Sequence, residues 1–147
     1  MKDDFGNIYK RARKTTVYSQ EAWAGLLGVS VEAVRQYENG TIMPAEDILL
    51  TMAEISGLTI LPYWHLQKKS RIAGAILPEL EEQKGLPEAV LALLIQVEDF
   101  QANGMRSLMR IAQDGRVDEA ETEAYDEAIR QLQRMIRKAY ELGYAKK

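Results

Sequence analysis

The stretch that most restricts the fold is QEAWAGLLGVSVEAVRQYENG, Gln20 to Gly40. Trp23, Ala24 and Leu27 recur at helical spacing, and Val34 and Tyr37 do so again after Gly28-Val29. Between these halves, Gly28 supplies the permissive backbone that a sharp turn requires. Ala24 is small where two helices crossing near a right angle bring their backbones together. Ser19 and Ser30 each precede a helical half and suit N-caps, since a hydroxyl accepts an amide hydrogen bond from the next turn. Asn39-Gly40 closes the second half, because both residue types tolerate the left-handed conformation that ends helices. The pattern predicts a helix-turn-helix, with helices near Gln20–Leu27 and Val31–Glu38.

The flanks fit the same small unit. Phe5, Ile8, Tyr9 and Ala12 share one face of a predicted helix over Phe5 to Lys14, and Thr15 to Tyr18 reads as a connector. Pro44 opens a fourth helix, about Ala45 to Ser56, that Gly57 stops, and a fifth is expected over Leu61–Lys69. Residues 1–69 therefore read as a five-helix domain. Residues 70–86 read as a linker with a short helix that Pro78 interrupts.

From 87 to 147 the apolar period lengthens. Val90, Leu93, Leu94, Val97, Phe100, Leu108 and Ile111 recur at steps of three and four up to about Gln113, with Gly104 inside as a close crossing or a bend. Asp114-Gly115 makes a turn. Asp118 and Glu121 form a capping box before a last helix to about Leu142. The expected fold is all-α, with an N-terminal five-helix domain followed by a long antiparallel helical hairpin. Such a pair buries too little area alone, so a second copy is the economical cover for its apolar stripes.

Several chemistries are disfavoured. The chain has no cysteine and a single histidine, His65, so a zinc site lacks ligands. No glycine-rich phosphate loop and no nucleophile–histidine arrangement appears, so neither an enzyme nor a cofactor is expected. Asp114 to Glu121 imitates half of a calcium loop, but Arg110 and Ala112 stand where its first oxygens belong. No apolar run reaches the roughly 20 residues of a membrane span, and Met1 to Lys14 lacks a secretory core, so a cytoplasmic location and no membrane contact are expected. The net charge is −3. Residues 1–66 carry Lys2, Lys10, Arg11, Arg13, Lys14 and Arg35 against eight acidic residues, and four of those cations form a local basic patch at Lys10–Lys14.

Gln20, Ala24, Leu27-Gly28-Val29-Ser30, Val34, Tyr37-Glu38-Asn39-Gly40 and Pro44 together resemble the Cro and phage-repressor helix-turn-helix regulators, the Xre family. The resemblance runs from the first helix to about Gly57 and implies a lambda-repressor-like fold for the N-terminal domain. It implies that the second helix of the motif enters a DNA major groove. On that basis Val31, Glu32, Arg35 and Gln36 would face bases. Gln36 would suit adenine, Glu32 cytosine N4 and Val31 a thymine methyl, while Arg35 would suit either guanine or a phosphate. Gln20, Ser30, Asn39 and Thr41 would contact phosphates.

The expected function is sequence-specific binding of double-stranded DNA by a homodimer formed through 87–147, as a repressor acting on two half-sites. The alternative is an antitoxin or adaptor whose C-terminal helices hold a different partner protein.

Overall fold

The computed structural model describes residues 7–147, and these form helices and connecting turns with no strand beyond an isolated Gly85–Lys146 bridge. The chain divides into two compact units, one up to Ala75 and one from Ile76. The expected helix start at Phe5 lies outside the described residues.

The N-terminal unit contains α1 (Ile8–Lys14), α2 (Gln20–Leu27), α3 (Val31–Glu38), α4 (Glu46–Ser56) and α5 (Leu61–Lys69), with α6 (Arg71–Ile76) at its end. α1 packs on α3, α4 and α5, while α2 packs on α3 and α4. Trp23, Val34, Met52, Ile60 and Leu61 are fully buried among them. Each side chain of this size contributes about 1.5–3 kcal/mol on leaving water.

Local chemistry sets the helix ends. Ser19 Oγ accepts from the Ala22 amide at 3.2 Å and Ser30 Oγ from the Ala33 amide at 3.1 Å. Gly28 turns the chain at φ +68°, where a side chain would be strained. After α3, only Gly40 is left-handed, at φ +79°. Asn39 stays right-handed at φ −93°, so one of the two expected left-handed residues does the work. Asn7 caps α1 by accepting from the Tyr9 amide at 2.9 Å, and its Nδ2 donates to the Tyr37 carbonyl, tying α1 to α3.

The C-terminal unit contains α7 (Leu86–Asp99), a π-helical turn (Phe100–Gly104), α8 (Met105–Asp114) and α9 (Thr122–Gly143). α7 and α9 run antiparallel. Leu86 N donates to Lys146 O at 3.0 Å at one level, and Gln131 Nε2 donates to Asp99 Oδ2 at 3.2 Å further along. Gly104 lies against Gln131 of α9. A Cβ there would meet Gln131 Oε1 and the Phe100 ring, the ring at 2.6 Å. The π turn absorbs the extra residue at that crossing.

The last helix begins later than the capping box implies. Asp118 Oδ1 accepts from the Glu121 amide at 2.8 Å and Glu121 Oε2 from the Asp118 amide at 3.3 Å, so the box is formed. Residues 119–121 nevertheless close as a turn, with Glu121 N on Asp118 O at 3.2 Å, and regular helix starts at Thr122.

At the other end of α9, the buried Glu141 carboxylate gathers Lys138 at 3.1 Å, Lys84 at 3.2 Å and Arg137 at 3.5 Å. Burial works to raise its pKa, but the hydrogen bonds from Lys138 and Lys84 outweigh it and hold the group below the usual carboxylate range. This cluster fastens the lead-in to α7 against the end of α9.

Leu80 is buried, but the large apolar side chains of α7 and α9 are not enclosed. The buried positions on α7, the π turn and α9 are Ala89, Gly104, Ala128, Gln131 and Glu141, all small or polar. Leu91, Leu94 and Ile95 are 61, 54 and 67% exposed, and Ile136 is 53% exposed. α7 carries apolar residues around most of its circumference, and α9 covers one side of it.

Candidate nucleic-acid interface

The candidate interface is built on α3, whose inner residues anchor it. Val34 and Tyr37 are buried, which leaves Glu32 and Arg35 exposed and Val31 and Gln36 half-buried on the outer side. Glu32 organises this face. Its carboxylate lies 3.7 Å from Arg35 Nη1 and accepts from Gln36 Nε2 at 3.5 Å, both one turn away. The four residues expected to face bases therefore share one surface. With Arg35 and Glu32 side chains 55 and 65% exposed, their pairing is weak enough to exchange for other partners.

The four residues expected at phosphates are placed differently from one another. Asn39 and Thr41 come together in an Asx turn after α3, with Asn39 Oδ1 accepting from the Thr41 amide at 2.9 Å and its hydroxyl at 2.5 Å. Ser30 is exposed and engaged as the cap of α3. Gln20 starts α2, but its side chain is drawn inward, donating through Nε2 to Glu38 Oε2 at 2.8 Å. Its backbone amide remains at the N-terminus of α2, so a phosphate contact from Gln20 would come from the backbone.

Glu38 is the hub that the sequence reading missed. Arg13 Nε donates to its Oε1 at 2.5 Å and Nη2 to its Oε2 at 3.0 Å, with both side chains at least nine-tenths buried. A third donor of Arg13, Nη1, reaches the Tyr18 carbonyl at 3.2 Å. Burial works to raise the Glu38 pKa, but the hydrogen bonds from Arg13 and Gln20 win and hold it low. One carboxylate thus ties α1, the α1–α2 connector, the start of α2 and the end of α3. The signal was present: Arg13 follows Tyr9 by four residues and Glu38 follows Val34 by four, so both charges fall in the apolar phase of their helices.

The basic patch at Lys10–Lys14 is smaller than its sequence suggests. Arg13 is consumed by Glu38, and the Arg11 guanidinium lies over the Trp64 ring at 4.4 Å. Lys10 and Lys14 are exposed. His65 proves to be a core residue: its Nδ1 sits 2.9 Å from the Tyr9 hydroxyl while its Nε2 is buried without a hydrogen bond. Burial, aided by the charge of Lys69, lowers its pKa. Burial pushes the Tyr9 hydroxyl up to about 12, so it stays protonated near neutrality. Among the described residues, no cluster of three or more His, Cys, Asp or Glu side chains is placed to hold a metal, and no helix is long and apolar enough to cross a membrane.

Residues 10–61, from the first helix through the start of α5, match the helix-turn-helix family model. The chain carries a helix-turn-helix domain of the Cro and phage-repressor, or Xre, type. This Xre-type domain is a DNA-binding module of transcription regulation. Comparison with curated proteins and with solved structures finds no match.

Proposed function

We propose that this regulator works as a homodimer, which binds an operator of two half-sites and represses transcription by occupying it. The observation that carries the reading is the division of labour between the two units. The Xre-type domain presents Val31, Glu32, Arg35 and Gln36 on one exposed face but sets only one cation, Arg35, on its recognition helix. Phosphate neutralisation is therefore modest for a single copy. The C-terminal unit leaves Leu91, Leu94, Ile95 and Ile136 in water, as a segment completed by a partner would.

Joining two readers converts the second half-site encounter into an intramolecular one, with a gain of about 10²–10⁴ in avidity. The recognition helices then enter successive major grooves about 34 Å apart. Gln36 and Glu32 read base edges, Arg35 reads guanine or braces a phosphate, and Ser30, Asn39, Thr41 and the Gln20 amide set the register.

Enrichment of random duplexes by the full chain tests this reading, followed by titration of the winner and a scrambled duplex at two salt concentrations. A two-fold symmetric winner preferred at both salts supports it. Equal affinity for both duplexes overturns it.

A further inference from the structure

Resting on the homodimer reading, we propose how the two copies pair. The hairpins stack face to face about a two-fold axis parallel to their helices, so that α7 of each copy lies along α9 of the other. Both DNA-reading units then leave the four-helix bundle at the same end.

The face follows from helix geometry. Measured from the contact line between α7 and α9, Val90, Leu94 and Val97 turn to one side of α7 at 100° per residue. Ile129, Leu132 and Ile136 turn to that same side of α9, because the helices run antiparallel. The apolar hollow lined by Ile136, Ala139, Tyr140, Gly143 and Tyr144 continues this stripe toward the end of α9.

Two such faces meet by a two-fold axis in one of two ways. An axis across the helices sets α7 on α7 and α9 on α9. An axis along them sets α7 on α9 at the same level. Charge chooses between these. Leu86 to Gly104 carries Glu88, Glu98 and Asp99 with no Lys or Arg, a net of −3. Glu127 to Gly143, the part of α9 level with it, carries Arg130, Arg134, Arg137 and Lys138 against Glu127 and Glu141, a net of +2. The crosswise axis opposes like charge on both pairs, whereas the lengthwise axis opposes unlike charge on both. Glu98 stands one turn from Leu94 and borders the face, while Arg130 turns 100° past Ile129 and pairs with Glu127 at 2.9 Å, so on α9 the charge acts through the field of the whole segment.

The chain has no cysteine, so a single introduced thiol gives a clean label. Arg116→Cys sits in the exposed turn at the hairpin tip, and Glu119→Cys provides a second position there. Spin labels on the full-length chain are read by pulsed dipolar spectroscopy, with mass by light scattering on the same samples. The lengthwise axis brings the two tips together, with label separations below about 30 Å at both sites. A crosswise axis puts the tips at opposite ends, about 50 Å apart at 1.5 Å per residue. A dimer with the long distance overturns the proposed arrangement and leaves the homodimer standing. A monomer at both label sites and in the unlabelled chain overturns the homodimer reading itself, and the face then belongs to a different protein. Higher salt weakens the dimer if unlike charges meet across it, and a dimer that tightens with salt contradicts the charge argument.

Discussion

Arg13 and Lys14 are neighbours in the sequence with opposite duties. Arg13 is a buried strut: its guanidinium binds Glu38 and the Tyr18 carbonyl. Arg13→Ala strands the Glu38 carboxylate in the interior, and about 3 kcal/mol of stability goes with the lost partner. Both tryptophans, Trp23 and Trp64, are buried in the N-terminal unit, so their fluorescence during urea unfolding reports this loss without interference from the hairpin. Lys14→Ala, by contrast, leaves the urea midpoint in place. It weakens binding to every DNA sequence alike and reduces the slope of log affinity against log salt by about 1. Gln36→Ala changes preference at one base position by about 1–3 kcal/mol, read by competition with single-base operator variants.

His65 and Glu38 govern the response to acid. His65 has a folded pKa below its ordinary 6.5, so the fold favours the neutral ring. Its contribution is whole above that value and decays as pH falls below it, where the unfolded chain binds the proton first. Glu38 has a folded pKa below its ordinary 4.5, so its contribution is whole above 4.5 and is lost as pH falls through the folded value. Stability of the N-terminal unit, followed by tryptophan fluorescence, therefore declines in two stages on acidification. His65→Gln removes the stage nearer neutrality and keeps the lower one; an unchanged profile contradicts the role given to the buried ring.

Among the elements, α2, α3 and their turn were the most legible in sequence, because Ser19, Gly28 and Ser30 each agree with the apolar spacing around them. α9 was less so. Its capping box forms, yet the regular helix starts at Thr122, since three intervening residues settle as a turn that the same side-chain bonds permit. The π turn was visible only as Gly104, which helix propensity disfavours and a close crossing demands. Gly104→Ala separates these effects. Propensity alone predicts a gain of about 1 kcal/mol. Collision of the new methyl with the Phe100 ring and Gln131 predicts a net loss of about 1–3 kcal/mol, seen as a lower midpoint in the helical signal of the hairpin. The outer side of α3 was also legible, since an outer position is fixed once Val34 and Tyr37 are known to be inside. Partnership between distant charges was not, because periodicity gives the phase of Arg13 and Glu38 but not which opposite charge each will meet.

At the scale of the whole molecule, a modestly charged reader is joined to a hairpin that leaves its large apolar residues in water. Those two properties make sense together if the hairpin supplies a second reader. The direct measurement is the affinity of the full chain for its selected operator against the same duplex with one half-site scrambled, at matched salt. A homodimer occupying two grooves loses about 10²–10⁴ in affinity when one half-site is destroyed, with the recovered half-sites centred one helical turn or a multiple apart. Equal affinity for the intact and half-scrambled duplexes contradicts the account.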